Sequence, residues 1–246
     1  MILNETPVRT SKNFNANNIV LKDFEAPQEE KKFINRNIYI NSDKKIMLLA
    51  ESLEDSERLN DLYDDSKLLV TEFSKGDFKL KYGVGQEQTP NQPIRILAKE
   101  SCNGAKVNLD FTFDEENNNL QDAIEIYAEK DSKLDVTINY IPSENLSEYC
   151  YHNAIIILTA LENSVINVTI VNLLNNISDN LISFENKLLD NSKLNYTIVD
   201  FGGKNSITNY YSDLYGKNSD NQINTIYLGN EDQMFDLNYI AHCLGE

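Results

Sequence analysis

The sequence predicts an all-β chain folded as a right-handed parallel β-helix, that is a β-solenoid, behind an irregular N-terminal segment. Three observations point there. A Ser-x-Leu/Ile-Asn/Asp-x-Thr-Ile pattern recurs at residues 105–111, 132–138, 164–170 and 192–198, with a looser fifth copy at 223–227. Each copy alternates apolar and polar residues with the period of two that marks a half-buried strand. An Asp or Asn followed by Ser precedes the later copies, at Asp131-Ser132, Asn163-Ser164, Asn191-Ser192 and Asn218-Ser219.

Taken in chain order, residues 1–90 form an N-terminal irregular or capping segment and residues 91–246 the β-helix. The N-terminal part shows no periodicity. Its charged stretch from Glu51 to Asp65 spaces Leu53, Leu59 and Leu62 among acids, which reads as a short amphipathic helix or a solvated loop. The run Gly83-Val84-Gly85 lacks phosphate-loop spacing and reads as a turn.

In the repeats, Val107, Leu134, Ile166, Leu194 and Ile223 align as one column, at intervals of 27, 32, 28 and 29 residues. A second column holds Leu109, Val136, Val168, Tyr196 and Thr225, and a third Phe111, Ile138, Ile170, Ile198 and Tyr227. One matching strand per period near 28 residues is what a solenoid needs, since each coil buries its apolar stripe only against its neighbours. Asn and Asp tolerate the left-handed backbone and the side-chain-to-backbone bonds of a corner. Each interval carries a second apolar stretch: Ile124-Glu125-Ile126, then residues 154–158, 181–184, 208–211 and 235–239. At least two strands per coil follow, stacked in parallel and joined by right-handed connections. Runs of Asn-Val-Thr-Ile type lack the three- and four-residue spacing of helical repeats.

Composition bounds the function. With 22 basic against 39 acidic residues the net charge is -17, which repels nucleic-acid phosphates and anionic membranes, so neither is an expected partner. The longest apolar run, residues 154–158, is far too short to span a bilayer. No basic-then-apolar leader opens the chain. Three scattered cysteines, Cys102, Cys150 and Cys243, fit neither a disulfide framework nor a zinc knuckle. A reducing, cytoplasmic location is expected.

Candidate chemistry is sparse. Cys150-Tyr151-His152 puts a thiol and an imidazole two apart, so on a strand both leave one face, where they suit a soft metal or an activated thiolate. A loop with Tyr151 packed and the other two incidental fits as well. Cys102 adjoins Asn103-Gly104 at a corner that needs a small side chain. His242 and Cys243 point opposite ways on a strand, so each acts alone. No hydrolase elbow, zincin, nucleotide loop or dinucleotide fingerprint occurs, and no catalytic residue is assigned.

Residues 6–15, Thr-Pro-Val-Arg-Thr-Ser-Lys-Asn-Phe-Asn, resemble the start of the SufB/SufD scaffold family of the SUF iron-sulfur cluster assembly system. The resemblance extends through Asn172-Leu173-Leu174-Asn175, Ile198-Val199-Asp200-Phe201-Gly202-Gly203, Thr208-Asn209-Tyr210-Tyr211, Asn224-Thr225-Ile226-Tyr227-Leu228-Gly229 and Phe235-Asp236-Leu237-Asn238-Tyr239. It implies a SufD-like, non-enzymatic scaffold that pairs with a SufB-type sister subunit through its β-helix and recruits the SufC ATPase. A transient iron-sulfur cluster is then expected only in the assembled complex. Family members usually continue through more coils and a helical C-terminal region beyond the point where this sequence stops. A truncated paralogue that keeps only subunit pairing, and a homodimer through the solenoid edge, are therefore further expectations. The rival from another class is a β-helix polysaccharide lyase or hydrolase, disfavoured by the missing export signal and by outward columns of Asn and Thr.

Overall fold

The computed structural model describes residues 2–3, 19–20, 27, 31–41, 46–49, 67–72, 90–230 and 232–245. The 51–65 stretch, the Gly83-Val84-Gly85 run and the 6–15 segment lie outside the described residues. Those described are all strand and connection, with no helix. A two-residue pair, β1 (Ile2–Leu3) and β2 (Ile19–Val20), is antiparallel.

The body is a parallel β-solenoid of about five turns. Each coil supplies one strand to each of two sheets. The smaller sheet stacks β7 (Asn103–Phe113), β9 (Lys133–Pro142), β11 (Val165–Asn172), β13 (Lys193–Asp200) and β15 (Asp220–Tyr227). The larger stacks β8 (Asn119–Ala128), β10 (Tyr151–Ala160), β12 (Asp179–Leu188), β14 (Asn205–Leu214) and β16 (Met234–Cys243). All five second apolar stretches fall in this larger sheet, in register.

The described N-terminal strands close the first coil. β3 (Arg36–Asn41) runs antiparallel along β7, and Phe33 before it packs edge-on against Phe111 and Phe113. β4 (Ile46–Leu49) pairs with β5 (Leu68–Glu72), which lies antiparallel on β6 (Gln92–Ala98), and β6 joins β8 in parallel. Antiparallel strands end a parallel stack without offering the same edge again.

The corners obey the Asn/Asp-Ser rule. Asp131, Asn163, Asn191 and Asn218 all have φ between 55 and 59°, and Ser101 takes the same place in the first coil. The serine that follows donates its hydroxyl to the carbonyl three residues back: Ser132 to Glu129, Ser164 to Leu161, Ser192 to Leu189 and Ser219 to Gly216, at 2.6–2.8 Å. Division of labour is clear: Asn or Asp supplies the backbone conformation and Ser the hydrogen bond.

Register corrects the sequence alignment at two coils. Leu134, Ile166 and Leu194 do stack, but Leu134 lies beside Ala105 rather than Val107, and Leu194 beside Asn221 rather than Ile223. The first slip arises because the equivalent corners, Ser101 and Asp131, lie further apart than the aligned interval, and the bulge between Asn103 and Ala105, where Gly104 at φ +80 is the one extra residue, takes up only part of the difference. The second arises because the equivalent corner residues Asn191 and Asn218 are 27 apart, closer than the aligned interval. Both slips are by two, which leaves the inward face unchanged. Val107, Val136, Val168, Tyr196 and the half-buried Ile223 share one interior row.

Candidate functional site

The inward alternation carries polar groups at one corner of the solenoid. Near the end of the smaller sheet one inward row holds Phe111, Tyr140, Asn172, Asp200 and Tyr227, stacked coil on coil, with Phe113 inward beyond it on β7. Opposite them, near the start of the larger sheet, stand Leu120, His152, Asn180, Ser206 and Phe235. The middle three coils therefore face polar against polar, and the outer two carry apolar or aromatic residues at these positions, Phe111 and Leu120 in one and Tyr227 and Phe235 in the other, the last two with rings 5.8 Å apart.

Asp122, also inward on β8, completes the set. Its Oδ1 lies 2.9 Å from His152 Nε2, and its Oδ2 accepts the Tyr140 hydroxyl at 2.8 Å. His152 Nδ1 is 2.6 Å from Asn180 Oδ1, and Asn180 Nδ2 donates to Ser206 Oγ at 2.8 Å. Ser206 donates in turn to Asp200 Oδ2, while Asn172 Nδ2 donates to Asp200 Oδ1 at 2.7 Å. Asp122, His152, Asn180 and Ser206 are wholly shielded from solvent. The Tyr140 ring covers the imidazole at a centroid distance of 3.9 Å, stacked in turn on Phe111. Burial pushes the Asp200 carboxyl above its ordinary value, against the pull of Ser206, Asn172 and the Gly202 amide. Burial likewise holds the Tyr140 phenol well above its usual range.

Of the sequence candidates, His152 is in this seam with both ring nitrogens engaged. Cys150 immediately precedes β10 and is buried, its amide bonded by Ser178 Oγ at 3.0 Å. Burial pushes its thiol up to about 11, so it is a thiol rather than a thiolate at neutral pH. Cys102 occupies, in the first coil, the corner place that Ser132, Ser164, Ser192 and Ser219 hold in the others, and is buried. His242 and Cys243 lie at the end of β16 on the last coil, exposed, with His242 Nδ1 2.7 Å from the Tyr211 hydroxyl. The fold brings none of these pairs together as a ligand set. Among the described residues no group of three or more His, Cys, Asp or Glu could hold a metal ion, and no disulfide joins the cysteines.

Sequence reasoning missed Asp122, Tyr140, Asn172, Asn180, Asp200 and Ser206. The signal was present: two residues before Ile124 the alternation turns Asp122 inward, and two after Ile138, Ile170 and Ile198 it does the same to Tyr140, Asn172 and Asp200. What the alternation does not give is which residue faces which across a corner.

A second feature lies outside. Past the seam, Leu173, Phe201 and Leu228 continue the ladder, each amide bonded to the carbonyl of Tyr140, Asn172 or Asp200 one coil below. They are 39, 42 and 67 % exposed, and the outward Ile226 beside Leu228 is exposed as well. An apolar stripe thus runs up the outer surface and widens at the last coil.

Fold and site together define a parallel β-solenoid with a hydrogen-bonded polar seam inside and an apolar stripe along its outer surface, a class of protein built as a rigid stack of coils. Residues 111–246, more than half of the chain, match the SUF system FeS cluster assembly, SufBD core domain family. The chain belongs to that family, and its role lies in SUF iron-sulfur cluster assembly. No curated protein and no solved structure matches it significantly.

Proposed function

We propose that this chain is a SufD-like scaffold subunit that does not itself catalyse a reaction, works in the cytoplasm, pairs with a SufB-type sister subunit and acts alongside the SufC ATPase. The observation that carries this reading is the family match over the same coils that bear the apolar stripe. A contiguous exposed apolar surface favours association with another protein surface. The cluster is cargo in this reading. With its three cysteines scattered along the chain and two of them buried, the chain holds it at a surface shared with its partner.

Co-purification with candidate SufB-type and SufC subunits, with and without iron, sulfide and reductant, tests the proposal. Capture of the sister subunit is expected, and its loss on Phe201→Asp with Leu228→Asp while circular dichroism stays that of a β-sheet protein. Elution of the wild-type chain alone under every condition would count against it, as would cleavage of polysaccharide by the purified chain.

A further inference from the structure

The buried seam is a chain of hydrogen bonds whose direction is fixed at both ends. At one end Asp122 needs a donor at His152 Nε2, since its other oxygen already takes the Tyr140 hydroxyl. At the other end Leu174 N–H can only donate, so Asn172 must turn its Oδ1 to it and its Nδ2 to Asp200 Oδ1. Between them stand one amide, Asn180, and one hydroxyl, Ser206, each able to reverse.

We propose that the seam is a two-state relay in which a hydrogen on His152 Nδ1 and a hydrogen on Asp200 Oδ2 exclude each other, the resting state carrying it on His152.

In the resting state Nδ1–H donates to Asn180 Oδ1, Asn180 Nδ2 to Ser206 Oγ, and the Ser206 hydroxyl to the Asp200 carboxylate. In the second state Asp200 Oδ2–H donates to Ser206 Oγ, the hydroxyl turns to Asn180 Oδ1, and the turned-over amide donates Nδ2–H to a bare Nδ1. One proton leaves Nδ1 and one is gained at Oδ2, so the charge of the seam is unchanged. With both hydrogens present, two donors meet between Asn180 and Ser206; with neither, two acceptors do. Buried mismatches of that kind are costly, which couples the two ends without direct contact. The resting state follows from the orientation of the amide between the two ends: Asn180 turns its Oδ1 to Nδ1 and its Nδ2 to Ser206 Oγ, an arrangement that calls for a hydrogen on Nδ1.

The groups facing the imidazole are Asp122 from β8, Tyr140 from β9, Asn180 from β12 and the Phe113 ring edge from β7. Those facing Asp200 are Asn172 from β11, Ser206 from β14, the Gly202 amide and the Tyr239 phenol from β16. The upward displacement of the Asp200 carboxyl agrees with a site able to take a proton.

The chain has two histidines, so His242→Gln leaves His152 as the single signal in two-bond 1H–15N spectra of histidine-labelled protein. With the wild-type seam, Nδ1 is expected to carry the hydrogen that Asn180 Oδ1 accepts, and Asp200→Asn, whose amide mimics the protonated acid, is expected to convert it to a bare, pyridine-like nitrogen. The control is the same substitution in a Ser206→Ala background, where the relay is cut but all charges remain. There Asp200→Asn is expected to leave the Nδ1 signal unmoved. Asn180→Leu cuts the other joint and gives a second background should Ser206→Ala unfold. An effect of Asp200→Asn that survives both cuts would mean charge acting through space and would overturn the relay. No effect with Ser206 in place would overturn it equally.

Discussion

Asp200 sits among donors yet away from water, and its own titration sets a pH dependence. Because burial raises its folded value above the ordinary 3.8, folding favours its protonated form. The stability it contributes is full below the ordinary carboxylate value and is lost as pH rises through the raised one. Urea denaturation across that interval is expected to show wild type losing stability relative to Asp200→Asn as pH rises; a constant difference would contradict the assignment. At the corners, Asn191→Ala keeps the Cβ in the left-handed region but removes the side-chain amide that offsets it, at a cost of about 1 kcal/mol, whereas Asn191→Gly stays within ~0.5 kcal/mol. Chemical denaturation of the pair reads this directly. Such residues were legible as Asn-Ser pairs because the requirement is local.

Elements succeed or fail on how closely neighbouring coils approach. A Cβ on Gly216 falls 1.9 Å from the Leu189 backbone carbon, and one on Gly202 falls 2.2 Å from the Leu174 amide nitrogen. Neither contact is with a flexible side chain, so Gly216→Ala is expected to destabilise by about 3 kcal/mol or more. Gly104 meets nothing within 4 Å, so Gly104→Ala costs only its backbone strain, about 1 kcal/mol. Thermal melts of the two variants separate crowding from conformation. The strands themselves were legible from period-two alternation. Their register was legible only in the middle coils, because the spacing between corner residues changes in the first and last coils by amounts that preserve the inward face.

Across the whole molecule, each coil's stability depends on having a neighbour on both sides. Rows such as Val107, Val136 and Val168 are fully buried in the middle, while Ile223, Thr225 and the residues of β16 are half-buried or exposed. Hydrogen exchange is therefore expected to be slower in β9 to β14 than in β15 and β16. Uniform protection along the chain would argue against nearest-neighbour stacking. Leu134→Ala in the middle of the stack should cost about 2–5 kcal/mol, measured by urea unfolding.

By itself the sequence determined the all-β solenoid, its period, its corners and its family resemblance, because each is written in local alternation and in residues that repeat along the chain. Only the tertiary structure decided that Asp122, Tyr140, His152, Asn180, Ser206 and Asp200 form one buried chain and that Leu173, Phe201 and Leu228 form one exposed stripe. Those residues come from different coils, and what brings them together is the stacking register and the turn of each corner, neither of which any single strand encodes.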